Sequence, residues 1–248
     1  MRTESERVTI NVGGQEMGGY LARAVPDEPR RFPAVLVFME IFGVNSYIRS
    51  VVDRIAAEGY VALAIDYYHR TAPGLDTGYD AESRKKGFEL IGKLRADELI
   101  ADANAAIAYL QSRDDVNGDR IGAIGFCIGG HIAYLIASTG ALRATASFYG
   151  GGIATFGFGE EKPTVTRTDG IKGKILCFFG ADDEMIPQSQ VETIKKAMYD
   201  AGVRNEVFVY PNCGHAFFRD GQPPFYQMAA DDAWKRTKKL FLDELHNS

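Results

Sequence analysis

The chain has 248 residues, of which 46% are hydrophobic, 25% charged and 11% aromatic, with a formal net charge of -5. That composition describes an ordinary folded protein and excludes disordered and fibrous classes, and the negative balance gives no electrostatic reason to bind nucleic acid or an anionic membrane. The length suits one large α/β core, so residues 1–248 are expected to form a single domain.

The opening "MRTESERVTI" lacks the apolar stretch of a signal peptide, and no segment approaches the roughly 18 apolar residues of a transmembrane helix, so a cytoplasmic location is expected. Three cysteines, Cys127, Cys177 and Cys213, are a sparse and odd set that reads as free thiols rather than a disulfide framework.

In chain order, "RVTINV" (7–12) and "GGYLARAV" (18–25) read as an N-terminal antiparallel pair. "AVLVFME" (34–40) is a continuous apolar strand of the kind buried on both faces. Helical spacing is seen over 46–59, with Ile48, Val51, Val52, Ile55 and Ala56 on one stripe and Gly59 as the stop. A second buried strand, "YVALAID" (60–66), leads into a Pro, Gly and Asp-rich loop over 67–80. Two helices are expected at about 81–92 and 96–112, closed by the turn signal "DDVNGDR" (114–120). Then come the strand "IGAIGF" (121–126), the helix "IGGHIAYLIAST" (128–139) and the strand "ATASFYG" (144–150). The weakly patterned stretch 150–173 separates these from the strand 174–180, a helix over 189–202, the strand 205–210 and a long final helix over 225–245. Apolar strands linked through helices imply a doubly wound, mostly parallel sheet, with ligand sites at the carboxyl ends of its strands.

The run "IGFCIGG" (124–130) ends a strand and opens a helix, the setting of a nucleophile elbow, in which glycines let a tight turn lift the central side chain clear of the sheet. Free N–H groups at the helix start favour a thiolate and an oxyanion there. A dinucleotide-binding turn fits poorly, because Gly122, Gly125, Gly129 and Gly130 do not make G-x-G-x-x-G. An inert buried cysteine is the other alternative on this motif alone.

Of the four histidines, His215 comes after a late strand in "YPNCGHAFF" and emerges on the same sheet edge as Cys127, which suits a general base, although a plain loop histidine also fits. His246 lies near the terminus, His69 in a loop and His131 on the elbow helix, where packed or solvated roles are expected. The run "CFFGADDEMIP" (177–187) places Asp182 and Asp183 between a strand and a helix near Pro187, where either orients an imidazole or caps the helix. The order Cys127, Asp183, His215 is the nucleophile, acid, base order of α/β-hydrolases. Cys177 reads as structural and Cys213 as incidental.

Together the motifs "MEIFGVN" (39–45), "DYYHRTAPG" (66–74), "GFCIGG" (125–130), "GADDEMIP" (180–187) and "GHAFFR" (214–219) make the sequence resemble the dienelactone hydrolase family, from about residue 15 to the final helix. The resemblance implies an α/β-hydrolase fold with Cys127 as nucleophile, His215 as base and Asp183, four residues before Pro187, as acid. It also implies that Glu40 contacts the resting thiol and takes its proton as substrate binds, and that the N–H groups of Ile41 and Ile128 form the oxyanion hole. Arg84 and Arg219 occupy the places of two arginines that grip a substrate carboxylate, a task suited to a guanidinium fork. Phe88 and Ala216 stand where the family has a tyrosine and a serine, so a less polar or larger acyl group than dienelactone is expected.

The function expected is hydrolysis of a small ester or lactone, with or without a carboxylate, by a monomer or weak homo-oligomer. No metal or organic cofactor is implied, since no His and Cys cluster has ligand spacing. The competing expectation is a non-hydrolytic protein that binds or senses a small molecule in the same pocket.

Overall fold

The computed structural model describes residues 2–159, 162–221 and 226–246. Strands β1 (Thr3–Val12) and β2 (Gln15–Ala24) form the antiparallel pair. The two residues between them, Gly13 and Gly14, both have positive φ, 59° and 92°, as a tight hairpin turn between twisted strands requires. The remaining strands are β3 (Phe32–Phe38), β4 (Val61–Ile65), β5 (Val116–Phe126), β6 (Ala144–Phe148), β7 (Lys174–Gly180) and β8 (Asn205–Tyr210). They join in one sheet of order β1-β2-β4-β3-β5-β6-β7-β8, antiparallel at β1/β2 and β2/β4 and parallel from β4 to β8.

Every residue of β3, β4 and β6 is buried, which is why β3 and β4 show unbroken apolar runs rather than alternation, while β6 buries Thr145 and Ser147 as well. The helices are α1 (Ser46–Ala57), α2 (Ala81–Ile91), α3 (Ala96–Gln111), α4 (Ile128–Ala137), α5 (Gln188–Asp200) and α6 (Gln227–Phe241), the last running into a π-helical turn at Leu242–His246. The connection from β3 through α1 to β4 runs one way along the sheet, and those from β5 through α4 to β6 and from β7 through α5 to β8 run the other. Right-handed crossovers therefore put α1 on one face and α4 and α5 on the opposite face. α6 shares the face of α1, tied there by the Lys238–Glu58 ion pair and by Arg54 over the Trp234 ring. The direction of winding changes between β3 and β5, so the carboxyl ends of these two neighbours border the crevice where ligands bind in such sheets.

Several boundaries differ from expectation: β1 starts at Thr3 rather than 7, β2 at Gln15 rather than 18, and β3 runs from Phe32 to Phe38 rather than over 34–40. β5 starts at Val116, inside the turn signal: the pairing jumps from Phe32↔Val116 to Ala34↔Ile121, so residues 117–120 are absorbed as an irregularity within the strand. The stretch 150–173 contains a 3-10 helix at Thr164–Gly170, and its residues 160 and 161 lie outside the described residues, as does residue 225 at the expected start of the final helix.

Candidate active site

Cys127 stands between β5 and α4 with φ 56° and ψ -123°, a combination that strains any residue with a Cβ by about 1–3 kcal/mol. The turn is held from both sides. The Cys127 N–H donates to the Phe148 carbonyl at the end of β6 (3.0 Å), and α4 begins at once with Gly130 N–H donating back to the Cys127 carbonyl (2.9 Å). A Cβ on Gly125 would lie 2.0 Å from the Gly129 carbonyl oxygen, and one on Gly129 would lie 2.3 Å from the carbonyl oxygens of both Phe38 and Met39. Only glycines let α4 descend this close to β3 and β5. The thiol is half-buried, whereas Cys177 and Cys213 are buried, and burial pushes the Cys177 thiol up to about 12.

His215 lies beyond β8, and its Nδ1 is 2.8 Å from Oδ2 of Asp183, which lies beyond β7. Asp183 is buried and its other oxygen accepts the Met185 N–H at 2.9 Å, so the carboxylate is fixed at both oxygens. The α5 N-cap is Pro187, without a side-chain cap, so neither aspartate serves that helix; Asp182 is exposed. A carboxylate only accepts, so Nδ1 of His215 carries a proton and Nε2 is the nitrogen turned to other work. Burial lowers the proton affinity of this ring, but an ionised sulfur at Cys127 and the hydrogen-bonded Asp183 carboxylate outweigh it, and beside the thiolate the pKa is pushed up to about 10. Nε2 itself makes no well-formed hydrogen bond among the described residues. The sulfur is near enough to act on the ring electrostatically.

Glu40 ends the run after β3 and is buried, not a solvated loop charge. Its partner is Arg219, Nη1 to Oε2 3.4 Å, rather than the thiol against which the family resemblance places it. Burial pushes its carboxyl up, against the pull of the Arg219 and His215 charges. The guanidinium is cushioned by Tyr79, 4.2 Å from its ring centroid. Two aromatic pairs hold this corner: Phe218 stacks on Phe126 at 5.6 Å, and Tyr79 meets Phe42 edge-on at 4.7 Å. Ala216, directly after the histidine, is buried at φ 61°, which turns the chain so that the Arg219 N–H reaches the Ala216 carbonyl.

The N–H groups of Ile41 and Ile128 have no backbone acceptor among the described residues. For Ile128 this results from its place as the first residue of α4. Above Ile41 lies α2, packed so closely that a Cβ on Gly87 would meet the Ile41 side chain at 2.7 Å. Arg84 and Phe88 lie one turn apart on the same helix, on positions flanking that contact, and both are exposed. Thus Cys127, Asp183, His215, Glu40 and Arg219 come together, while Arg84 and Phe88 stand at the rim on α2.

Sequence reasoning missed the tyrosines. Tyr67 donates to the Met39 carbonyl at 2.8 Å and so braces the turn that carries Glu40 and Ile41. Tyr68 and Tyr149 are fully buried, and neither hydroxyl has a hydrogen-bond partner among the described residues. Leaving such a group unpaired costs about 1–3 kcal/mol. All three lie just past the ends of β4 and β6, and that position at the carboxyl end of a buried parallel strand was the available signal. Cavity size is no guide here: a cavity of about 650 Å³ is lined by Arg2 and residues 25–30, on none of the elements above. Among the described residues no group of three or more His, Cys, Asp and Glu side chains is placed to hold a metal ion, and no helix is long and apolar enough to cross a membrane.

The parallel sheet with its antiparallel N-terminal edge, the strained cysteine elbow and the carboxylate and histidine beyond two later strand ends define an α/β-hydrolase fold. The family model of dienelactone hydrolases matches residues 17–245, and the chain belongs to that family. A Synechocystis sp. protein assigned as a carboxymethylenebutenolidase is 43% identical over 238 residues, 96% of each chain. A Bradyrhizobium sp. protein assigned as a 2-oxo-3-(5-oxofuran-2-ylidene)propanoate lactonase is 31% identical over 233 residues, 93% of this chain and 90% of the other. The crystal structure of a Klebsiella pneumoniae chain assigned as a dienelactone hydrolase superposes with a TM-score of 0.88 at 29% identity, covering 97% of this chain and 99% of that one.

Proposed function

We propose that this protein hydrolyses a small ester or lactone through Cys127, with His215 moving protons and Asp183 orienting and stabilising the imidazolium. The observation that carries the reading is the 2.8 Å contact between His215 Nδ1 and the buried Asp183 carboxylate, beside a cysteine held in a strained elbow. The assigned activities of the Synechocystis and Bradyrhizobium relatives, on a butenolide and a furanone lactone, support the substrate class.

In this reading the Cys127 thiol proton passes to Nε2 of His215 as the sulfur attacks the carbonyl carbon. The oxyanion of the tetrahedral intermediate is held by the Ile41 and Ile128 N–H groups. Collapse breaks the bond to the leaving oxygen, which takes the proton from His215 and leaves a thioester on Cys127. Water then attacks that thioester while Nε2 accepts its proton, and the same proton returns to the sulfur as the acid departs. Asp183 keeps Nδ1 protonated throughout. Arg219, paired with Glu40 in the free protein, and Arg84 at the rim supply positive charge for a carboxylate on the substrate. Phe88 and Ala216, with no hydroxyl to offer, favour a less polar acyl group.

A p-nitrophenyl ester panel with neutral and carboxylate-bearing members, together with cis- and trans-dienelactone, tests this in the parent protein and in Cys127→Ala and His215→Ala. The expected loss is on the order of 10⁴-fold in kcat for either variant, leaving what binding and the oxyanion hole supply. Arg84→Ala is expected to raise KM for carboxylate-bearing esters and not for neutral ones. A parent protein no more active than its variants on every ester sinks the hydrolase reading and leaves ligand binding in its place.

A further inference from the structure

Tyr149 combines three features, and packing against Phe126, Phe148 and Phe217 accounts for its ring but not for its hydroxyl. It comes directly after β6 with φ 38°, a left-handed backbone that a bulky aromatic residue adopts only when its surroundings impose it. It is fully buried, yet its hydroxyl has no hydrogen-bond partner among the described residues. And its position is coupled to both reacting groups. The Phe148 carbonyl that accepts the Cys127 N–H belongs to the peptide bond leading into Tyr149, and the Tyr149 ring meets the His215 ring edge-on with centroids 5.2 Å apart. Its own N–H donates to the Phe178 carbonyl of β7 at 2.7 Å, which locks the turn from the other side.

The groups in electrostatic reach of the hydroxyl are Tyr47 from α1, Glu40 from the end of β3, Arg219 from the segment after β8, and Cys127 itself. Tyr47 already uses its hydroxyl on the Phe218 carbonyl (3.5 Å), and Glu40 and Arg219 are paired with each other. The sulfur of Cys127 is the group among these that gains a full negative charge during the proposed reaction, and the donor assigned to it, the Nε2–H of His215, exists only after that nitrogen has taken the thiol proton. Tyr68, the other buried tyrosine near the thiol, feels Cys127 more than any other charge, but it turns to Tyr67 and lacks both the ring contact with His215 and the backbone staple to Cys127.

We infer that Tyr149 is a further catalytic residue, whose hydroxyl donates a hydrogen bond to Sγ of Cys127 as the thiolate forms. The thiol proton goes to His215 Nε2, the Tyr149 O–H remains covalently intact, and the hydrogen bond is released as sulfur commits its electron pair to the carbonyl carbon. A donor without an acceptor in the resting thiol state and with one in the thiolate state stabilises the second relative to the first. The inference rests on the reading of Cys127 as nucleophile, but the experiment separates the two because alkylation of the thiol needs no substrate.

The test compares Tyr149→Phe with the parent protein by the rate of iodoacetamide alkylation at pH 7, followed at the Cys127 peptide by mass spectrometry, by kcat and KM on the most rapidly hydrolysed ester, and by Tm. Expected are alkylation slowed about 3- to 10-fold, kcat lowered about 10- to 100-fold with KM within about 2-fold, and Tm unchanged or raised, since the variant deletes only an unpaired buried hydroxyl. Tyr47→Phe, whose hydroxyl is committed to a carbonyl, is the companion variant and is expected to leave alkylation within about 2-fold. Unchanged alkylation in Tyr149→Phe, or an equal slowing in Tyr47→Phe, overturns the inference. If instead Cys127→Ala retains turnover while Tyr149→Phe still slows alkylation, the hydrolase reading fails and the donor role of Tyr149 stands.

Discussion

His215 and His131 are both removed from bulk water, yet the protein drives their protonation in opposite directions. The His131 ring on α4 places Nδ1 3.0 Å from the Gly151 carbonyl and Nε2 2.7 Å from the Thr164 hydroxyl. A carbonyl only accepts, so Nδ1 holds the proton, and the threonine hydroxyl donates to Nε2. Both partners are neutral and cannot offset the burial of a cation, so the pKa falls to about 3. His215 faces a carboxylate and a sulfur, and is held near 10 despite its burial. Burial alone therefore says little about a histidine; the charge of what it touches decides whether it is a pin or a proton carrier. His131 pins the 150–173 stretch to the elbow helix, with Phe158 packed 4.4 Å from its ring.

The contrast breaks most sharply at Asp183. Asp183→Asn, which keeps the shape and removes the charge, is expected to lower kcat by about 10³- to 10⁴-fold, while Asp182→Asn stays within about 3-fold. Steady-state kinetics on any hydrolysed ester decides it, and the reverse ranking reassigns the acid. A second effect concerns acid stability. His131 is depressed from 6.5 unfolded to about 3 folded, so below pH 6.5 the unfolded chain binds a proton that the folded one refuses. Stability then declines toward pH 3 by up to about 1.4 kcal/mol per pH unit from this group alone. His131→Gln should flatten that slope by close to one proton in denaturant titrations at stepped pH; an unchanged slope means that the ring is not held neutral.

At the alkaline end the sign is the opposite. A raised His215 contributes stability that is fully present below its unfolded pKa near 6.5 and is lost as pH climbs through about 10. Because the sulfur of Cys127 is the largest of the influences raising it, Cys127→Ala should lose less stability than the parent across that window. Equal losses in the two proteins would show that Asp183 alone sets the ring.

Much of this site is legible in the sequence, because its chemistry sits at strand ends and the strands announce themselves. "AVLVFM", "YVALAI" and "ILCFF" are unbroken apolar runs, and each gives way to a loop on the same sheet edge. Other features have no local signal. The Glu40–Arg219 pair joins positions 179 apart in the chain, and only the sheet order brings β3 near the segment after β8. The left-handed turn at Tyr149 is the reverse of what an aromatic residue prefers locally, so propensity points away from it. The first half of β5 is hidden by Asn117-Gly118-Asp119, turn-forming residues that sit in the irregularity between the paired Val116 and Ile121.

The close approach of α4 to the ends of β3 and β5 bears on how this protein can be diversified. Any side chain added at 125 or 129 meets backbone carbonyls that no rotamer change can clear, so a mutational library spends its members there on misfolded chains. The rim offers the opposite: Arg84 and Phe88 project from an exposed stretch of one helix, and altering them leaves the elbow unstressed. On the proposed function, substrate range and foldability fall on different residues, and the first can be searched with little risk to the second.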